Sequence, residues 1–336
     1  MNRSLKRVVI RVDGNSFIGF GHMSRCMALA SYLKNDFKIL FLISKNSFSD
    51  LLQGFDFYKL NSNKVDELKK IINKDDILVL DGYNFDSQYQ KKIAPCCFKL
   101  VLIEDNFEDY SYADVIINYS YSALFKKYQC KKNTKILRGP HYLLIRNSFL
   151  KNNRRKKLNK TLNTIFISLG GSDETNQTLR VLKALSLLKK TLNVIVLVGS
   201  SLKNKTKIEN WSKNEKHLLK LKIEQNYAAR QMAAAISKSD LVICPASVTA
   251  WETCCIGTPL IVGYIANNQV PGGKAMEKAG IAKNISWFRR CSLKKIGLEF
   301  LSLGDLSFRR EMISQQKKMI DKKSNKRILS VFKKLS

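Results

Sequence analysis

No stretch of this chain approaches the roughly 20 consecutive apolar residues that a membrane-spanning helix needs. With hydrophobic residues at 45% of 336, it reads as a soluble protein long enough for two domains. The opening segment, Met1-Asn2-Arg3-Ser4-Leu5-Lys6-Arg7, has neither a long apolar core nor a small-residue cleavage site. It is expected to be unprocessed and the protein cytoplasmic. Cys-x-x-Cys spacing is also missing. The eight cysteines fall as two adjacent pairs, Cys96-Cys97 and Cys254-Cys255, and four singles, Cys26, Cys130, Cys244 and Cys291. That pattern predicts buried thiols in a reducing compartment, with no zinc or redox site and no metal. The spacing G-x-x-x-x-G-K-[ST] is absent, which argues against an ATPase, and no short repeat or low-complexity tract is visible.

Acidic residues are scarce: 27 against 59 basic, a formal charge of +32. Nucleic acid is the first partner such a charge suggests. The lysines, however, spread through nearly every polar segment, and aromatics do not alternate with them as in a single-strand groove. The expectation is a lysine-rich surface that concentrates small anionic substrates. It allows weak association with anionic membrane surfaces but predicts no nucleic-acid partner and no stable membrane insertion.

Short aliphatic runs alternate with segments of helical period, the signature of parallel sheets with crossover helices. In the first half, strands are expected at Val8–Asp13, Lys38–Ile43, Ile77–Asp81, Lys99–Glu104 and Val115–Asn118, with helices at His22–Lys34 and Lys64–Asn73. The segment Lys151–Lys160 carries six basic residues in ten and almost nothing to bury, as a linker does. The alternation then restarts at Thr164–Leu169, Val194–Val198, Leu219–Ile223, Leu241–Cys244 and Leu260–Gly263. The expected organisation is a first α/β domain over 1–150, a linker over 151–161, a second domain over 162–290 and a basic helical extension over 291–336. The helical stretch Leu306–Lys334 either packs along one domain or crosses back to the first.

Four segments carry candidate chemistry. The first strand ends at Asp13-Gly14 and leads through Gly19-Phe20-Gly21-His22 into a helix, placing the loop at the carboxyl end of a strand, where α/β sheets bind ligands. Glycines there permit close backbone approach, and helix N–H groups attract anions. An imidazole titrates near neutrality, so His22 is a candidate general base, the alternative being a helix cap or core hydrogen bond. Arg25 falls on the same helix face, as a ligand or one half of an ion pair. In Val79-Leu80-Asp81-Gly82-Tyr83 another strand meets a carboxylate; Asp81 either orients the imidazole, binds a sugar hydroxyl or caps the next helix. Ser168-Leu169-Gly170-Gly171-Ser172-Asp173 suits diphosphate binding through backbone N–H groups. In Ser247-Val248-Thr249-Ala250-Trp251-Glu252, Ser247 starts a helix and Glu252 is able to accept both hydroxyls of a ribose, or is an ordinary solvated helix residue. Asn267-Asn268-Gln269 supplies amides from a loop.

Assembled, these residues resemble the sugar-nucleotide hydrolases of pseudaminic acid biosynthesis, which cleave UDP-2,4-diacetamido-2,4,6-trideoxy-β-L-altropyranose. The matching stretches are Arg11-x-Asp13, Ile18-Gly19-Phe20-Gly21-His22-x-x-Arg25, Asp81-Gly82-Tyr83, Gly139-Pro140-His141-Tyr142-x-Leu144-Ile145-Arg146, Ser168-x-Gly170-Gly171-Ser172-Asp173, Ser247-x-x-x-x-Glu252 and Asn268-Gln269. The loop Gly14-Asn15-Ser16-Phe17 is bulkier than the family's usual small residues, and about fifty C-terminal residues extend beyond compact members. The family is related in fold to the glycosyltransferase that makes lipid II. The resemblance therefore implies two Rossmann-like domains facing across a cleft, the GT-B type. It implies hydrolysis of a UDP-sugar by water attack at C1, with no cofactor, by a monomer. His22 would activate the water. Arg11, Asp13, Gly19, Gly21, Arg25, Asp81, Tyr83, Arg146, Asn268 and Gln269 would surround the sugar; Gly170, Gly171, Ser172, Ser247 and Glu252 would hold UDP. A glycosyltransferase of the same fold is the alternative, and a non-catalytic anion-binding protein the reading from a different class.

Overall fold

The computed structural model describes residues 5–15, 20–52, 54–105, 109–151, 157–170, 173, 175–199 and 202–336, with the backbone alone for Leu51, Leu202 and Lys203. The chain divides into two compact units, one of Met1–Arg146 with Lys322–Ser336 and one of Asn147–Asp321.

In the first unit the strands are β1 (Arg7–Val12), β2 (Lys38–Ser44), β3 (Asp56–Leu60), β4 (Ile77–Asp81), β5 (Lys99–Ile103), β6 (Val115–Asn118) and β7 (Lys135–Arg138). They form one seven-stranded sheet in the order β3-β2-β1-β4-β5-β6-β7, with every pairing parallel. The crossover helices include α1 (Gly21–Leu33), α2 (Val65–Lys69) and α3 (Ser87–Ile93). Because both faces of a parallel sheet are covered, its central strands are continuously apolar; β1 reads Val8-Val9-Ile10 and β4 Ile77-Leu78-Val79-Leu80, all fully buried. Strand order reverses between β1 and β4, where Val12 lies beside Asp81 in register. The carboxyl ends of these two strands make the switch point at which such sheets open a crevice.

The second unit repeats the plan. Its strands are β8 (Thr164–Ile167), β9 (Leu192–Val198), β10 (Leu219–Gln225), β11 (Leu241–Pro245), β12 (Leu260–Tyr264) and β13 (Lys283–Trp287), in the parallel order β10-β9-β8-β11-β12-β13. The helices are α4 (Asn147–Leu150), α5 (Gln177–Ser186), α6 (Leu202–Asn214), α7 (Ala229–Lys238), α8 (Val248–Ile256), α9 (Gln269–Lys278), α10 (Leu293–Ser302) and α11 (Leu306–Met319). Order reverses here between β8 and β11.

The basic segment after α4 is anchored from Asn159 onward. Asn159 Nδ2 donates to Asp240 Oδ1 at 2.8 Å, and the fully buried Arg309 of α11 donates to the Asn159 and Lys160 carbonyls at 2.9 and 2.7 Å. The last helix, α12 (Ser324–Leu335), belongs to the first unit. Phe332 is fully buried, its ring edge-on to Phe37 at 6.3 Å, and Lys333 pairs with Asp36 at 2.6 Å. Emptying that site is costly: Phe332→Ala is expected to lower stability by about 3–5 kcal/mol, read as an earlier midpoint in urea denaturation. No helix among the described residues is long and apolar enough to cross a membrane.

Three strands depart from the sequence expectation, β3, β7 and β13, and all are sheet edges. Their residues are largely exposed or half-buried, so they lack the apolar run that marks β1 or β4. The helix expected over Lys64–Asn73 is confined to Val65–Lys69. The stretch Leu306–Lys334 is two helices, interrupted around Lys322, whose φ is +62°.

Candidate active site

The chain leaving β1 is held at Asp13. Arg11, near the carboxyl end of the central strand β1, donates to both Asp13 oxygens at 2.7 Å, to Asn63 Oδ1 at 3.0 Å and to the Leu42 carbonyl. Asp13 in turn accepts from Ser44 N at 2.6 Å and from the Ser47 hydroxyl at 3.0 Å. Burial opposes ionisation of Asp13, but Arg11, Ser44 and Ser47 outweigh it and hold the carboxyl below its usual range. The pair ties the end of β1 to the end of β2. Gly19 lies outside the described residues.

Gly21 opens α1, so His22 and Arg25 rise from its first turn toward the end of β4. Asp81, the last residue of β4, receives both. His22 Nδ1 lies 2.6 Å from Asp81 Oδ1; Arg25 donates through Nε to Oδ2 at 2.7 Å and through Nη2 to Oδ1 at 2.6 Å. Burial disfavours the Asp81 anion, yet Arg25 and His22 overcome this and hold the carboxyl far below its ordinary value, while the Arg25 guanidinium is held firmly charged. An ionised carboxylate only accepts. Nδ1 must therefore carry the proton it shares with Oδ1, so the tautomer this pairing selects has its lone pair on Nε2. The 3.0 Å approach of Arg25 Nη2 to Nδ1 is then a contact between two donors that reach the same oxygen. Nε2 makes no hydrogen bond to a described residue.

The helix-capping reading of Asp81 does not apply, since α3 is capped by Asp86, which accepts from Tyr89 N. Cys26 lies against Asp81 too, its thiol 3.1 Å from Oδ2. Burial and that anion push the thiol well above its ordinary value, so it stays protonated and is no nucleophile. His22, Arg25, Tyr83, Phe85 and Asp105 line a cavity of ≈ 270 Å³. Tyr83, 58% exposed, sets its ring edge-on to His22 at 5.0 Å.

Asp105 is a residue the sequence analysis did not single out. Arg25 Nη1 donates to its Oδ2 at 3.2 Å, and the Tyr83 hydroxyl reaches the same oxygen at 3.5 Å. The signal was present: Glu104-Asp105 follows β5 as Asp13 follows β1 and Asp81 ends β4. Arg25 is thus engaged by two carboxylates, in the ion-pair role open to it from the sequence.

In the second unit the loops after β8, β11 and β12 converge. Gly170 has φ +98°, a conformation that favours glycine, and a side chain there would meet Ile265 Cδ1 at 3.5 Å. Gly171 and Ser172 lie outside the described residues. Asp173 accepts from Gln177 N at 2.7 Å and Thr178 N at 2.9 Å, so a carboxylate occupies the first-turn donors of α5. Ser247 is the N-cap of α8, with no side-chain cap bond. Glu252 is 1% exposed on α8, not the solvated helix residue that was its alternative. Asn268 is the N-cap of α9, and Gln269 Oε1 accepts from Ile265 N at 2.9 Å. At Gly273 an added Cβ would lie 2.4 Å from the Tyr264 ring and 3.1 Å from Ala246 Cβ; glycine brings α9 close to the turn after β11. Arg146 is half-buried at the end of the first unit, next to Ile145, whose N–H donates to the Tyr32 hydroxyl at 3.0 Å. The structure thus gathers His22, Arg25, Asp81 and Tyr83 in one cluster, joins Arg11 to Asp13 in another, and carries the remaining candidates of residues 170–269 on the second unit.

Two parallel sheets of seven and six strands, each with its switch point, define the GT-B fold. The solved structure of Acinetobacter baumannii MurG superposes with a TM-score of 0.70 at 17% identity, over 98% of this chain and 99% of that one. Residues 164–286, within the second unit, match the glycosyltransferase family 28 C-terminal domain. The chain is 30% identical over 273 residues to an uncharacterized protein of Methanocaldococcus jannaschii, covering 77% of this chain and 55% of that protein, about half its length. It is 28% identical over 248 residues to the UDP-2,4-diacetamido-2,4,6-trideoxy-β-L-altropyranose hydrolase of Campylobacter jejuni, covering 70% of this chain and 86% of that enzyme.

Proposed function

We propose that the protein is a nucleotide-sugar enzyme that hydrolyses a UDP-linked diacetamido-trideoxy-hexose to UDP and free sugar, supplying a precursor of the nonulosonic acid class. The observation that carries this reading is the His22–Asp81 pair, which fixes the imidazole tautomer with its lone pair on Nε2. In the proposed step Nε2 takes a proton from water as the water oxygen bonds to the anomeric carbon. The bond from C1 to the phosphate oxygen breaks, its electron pair leaves with UDP, and the configuration at C1 inverts. Asp81 stays ionised and stabilises the imidazolium, as the carboxylate of a catalytic triad does. Similarity to the Campylobacter hydrolase supports the choice of sugar.

UDP binding is assigned to the second unit: the loop at Gly170, Gly171 and Ser172 with Ser247 for the diphosphate, and Glu252 for the ribose hydroxyls. Tyr83, Asn268 and Gln269 are assigned to the sugar. If Glu252 accepts from ribose, Glu252→Gln loses a charge-assisted hydrogen bond, and UDP affinity is expected to fall about 10- to 100-fold in calorimetric titration. An unchanged affinity would remove Glu252 from the site.

A second reading, transfer of the sugar to an acceptor hydroxyl, is favoured by the match to a glycosyltransferase domain family. The same base would then deprotonate the acceptor. The deciding experiment follows UDP release from UDP-sugars in ¹⁸O-labelled water. Label at C1 of the released sugar supports hydrolysis. Release that depends on an added acceptor, with unlabelled product, defeats it in favour of transfer.

A further inference from the structure

The basic segment that precedes β8 borders a second cavity. It measures ≈ 480 Å³ and lies wholly within the second unit, between that segment and α11. Leu158, Leu306 and Ile313 give it an apolar lining, and Ser314 adds a hydroxyl. The other described residues that line it, Lys157, Lys160, Arg310 and Lys317, are all cations, with no acid among them. The side chains of Lys160, Arg310 and Lys317 are exposed and make no ion pair or hydrogen bond with a described residue.

The fold holds these charges together. Leu306, Arg310, Ile313, Ser314 and Lys317 recur at the three- and four-residue spacing of one helix face. The buried Arg309 fixes the facing segment by donating to the Asn159 and Lys160 carbonyls. Like charges side by side repel, and an anion set among them is attracted by each.

The place of the cavity separates it from the nucleotide site proposed above. Residues 157–160 lead into β8, and Asn159 donates to Asp240, the residue before β11. Gln316 of α11 donates to the carbonyls of Thr258 and Ile281, which precede β12 and β13, at 3.3 and 2.9 Å. Helix α11 therefore lies at the amino ends of these parallel strands, whereas the loops assigned to UDP leave their carboxyl ends.

We propose that this cavity is a second binding site, for a small organic phosphate: an anion of two or more charges carried on an apolar body. Its volume falls in the range of small-molecule pockets, about 300–1,000 Å³. The cations take the phosphate oxygens, Arg310 with two parallel donors, and Leu158, Leu306 and Ile313 cover the body. Inorganic phosphate would leave that apolar lining in water, and a concave site fits a small molecule better than the plane of a membrane.

The test titrates 1-naphthyl phosphate and inorganic phosphate calorimetrically into wild type and two double variants, Arg310→Gln with Lys317→Gln and Lys91→Gln with Lys92→Gln. The second pair removes two exposed lysines from α3 in the first unit, so both variants lose the same charge. Wild type is expected to bind naphthyl phosphate more tightly than phosphate, and Leu158→Ala to narrow that difference. Loss of Arg310 and Lys317 should weaken naphthyl phosphate binding about 10- to 100-fold, the size of a hydrogen bond to a charged group. Loss of Lys91 and Lys92 should hardly change it. Glu252→Gln, in the proposed UDP site, should leave it unchanged. Equal weakening in the two double variants would mean diffuse attraction to a chain of charge +32, and weakening by Glu252→Gln would place the probe in the UDP site; either overturns the inference, as does a wild type that binds neither probe. Sedimentation with phosphatidylglycerol vesicles that depends on Arg310 and Lys317, without binding of naphthyl phosphate, overturns it in favour of a membrane contact. If the α11 variant unfolds earlier than wild type, Lys160→Gln, exposed and outside any helix, is compared with Lys91→Gln in its place.

Discussion

His22→Ala is expected to lower kcat for UDP-sugar hydrolysis by about a hundred- to ten-thousand-fold, the usual contribution of a positioned general base, with UDP affinity unchanged. The separation follows from where the residue sits. Among the described residues His22 hydrogen-bonds to Asp81 and touches Arg25, and the UDP-binding residues assigned above belong to the other unit. Removing the imidazole leaves Asp81 with two Arg25 donors and the Cys26 thiol, so the buried anion remains paired and the fold should persist. Single-turnover UDP release and UDP titration, run on one preparation, read the two quantities. Turnover within threefold of wild type would end the role of His22 as base.

Asp81→Asn should be as damaging to activity and far more damaging to stability. The carboxylate accepts from four donors: His22 Nδ1, Arg25 Nε and Nη2, and Cys26 Sγ. An amide has a single acceptor oxygen, and its NH₂ must face one of those donors. If it faces the ring, Nδ1 becomes the acceptor and the proton moves to Nε2, the wrong tautomer for a base; loss of about 10³- to 10⁴-fold in kcat is expected, by analogy with the triad carboxylate of serine proteases. If it faces Arg25, a buried guanidinium loses half its partner, a defect of about 3–5 kcal/mol. The sign of the pH dependence follows. A carboxyl held below its unfolded value stabilises the fold above the ordinary carboxylate pKa and ceases to do so as pH falls toward the folded value. The stability gap between wild type and Asp81→Asn should therefore be widest at neutral pH and narrow on acidification. Urea denaturation across that range measures it, and a gap that widened in acid would contradict the ion-pair account.

The buried strands were legible because parallel sheets demand apolar residues on both faces: β1, β4, β5 and β6 announce themselves as runs of Val, Ile and Leu. Edge strands have no such requirement. β3, Asp-Phe-Tyr-Lys-Leu, buries only Leu60, and a pattern read for burial passes over it. The site was half-legible for a related reason. That a carboxylate follows a strand is a property of sequence, but which cation it meets depends on the register of strands far apart in the chain. Asp13 and Asp81 look alike in the sequence; one braces the β1 loop with Arg11, the other receives His22 and Arg25. Asp105 carries the same strand-end signal and gains its meaning only from the guanidinium of Arg25, eighty residues earlier. Asp173, beside the glycine pair, shows the converse: a loop suited to anions carries its own carboxylate on the N–H groups of the helix that follows.

The return of α12 to the first unit has a consequence for synthesis. Residues 147–321 are threaded between two segments of that unit, so on the ribosome they emerge whole while their host still lacks a helix. The usual order, in which the N-terminal part folds first, is reversed in its final step. Phe37 stays without its aromatic neighbour until Phe332 has cleared the exit tunnel, so the unit that carries His22 is completed only after residues 147–321 have been made.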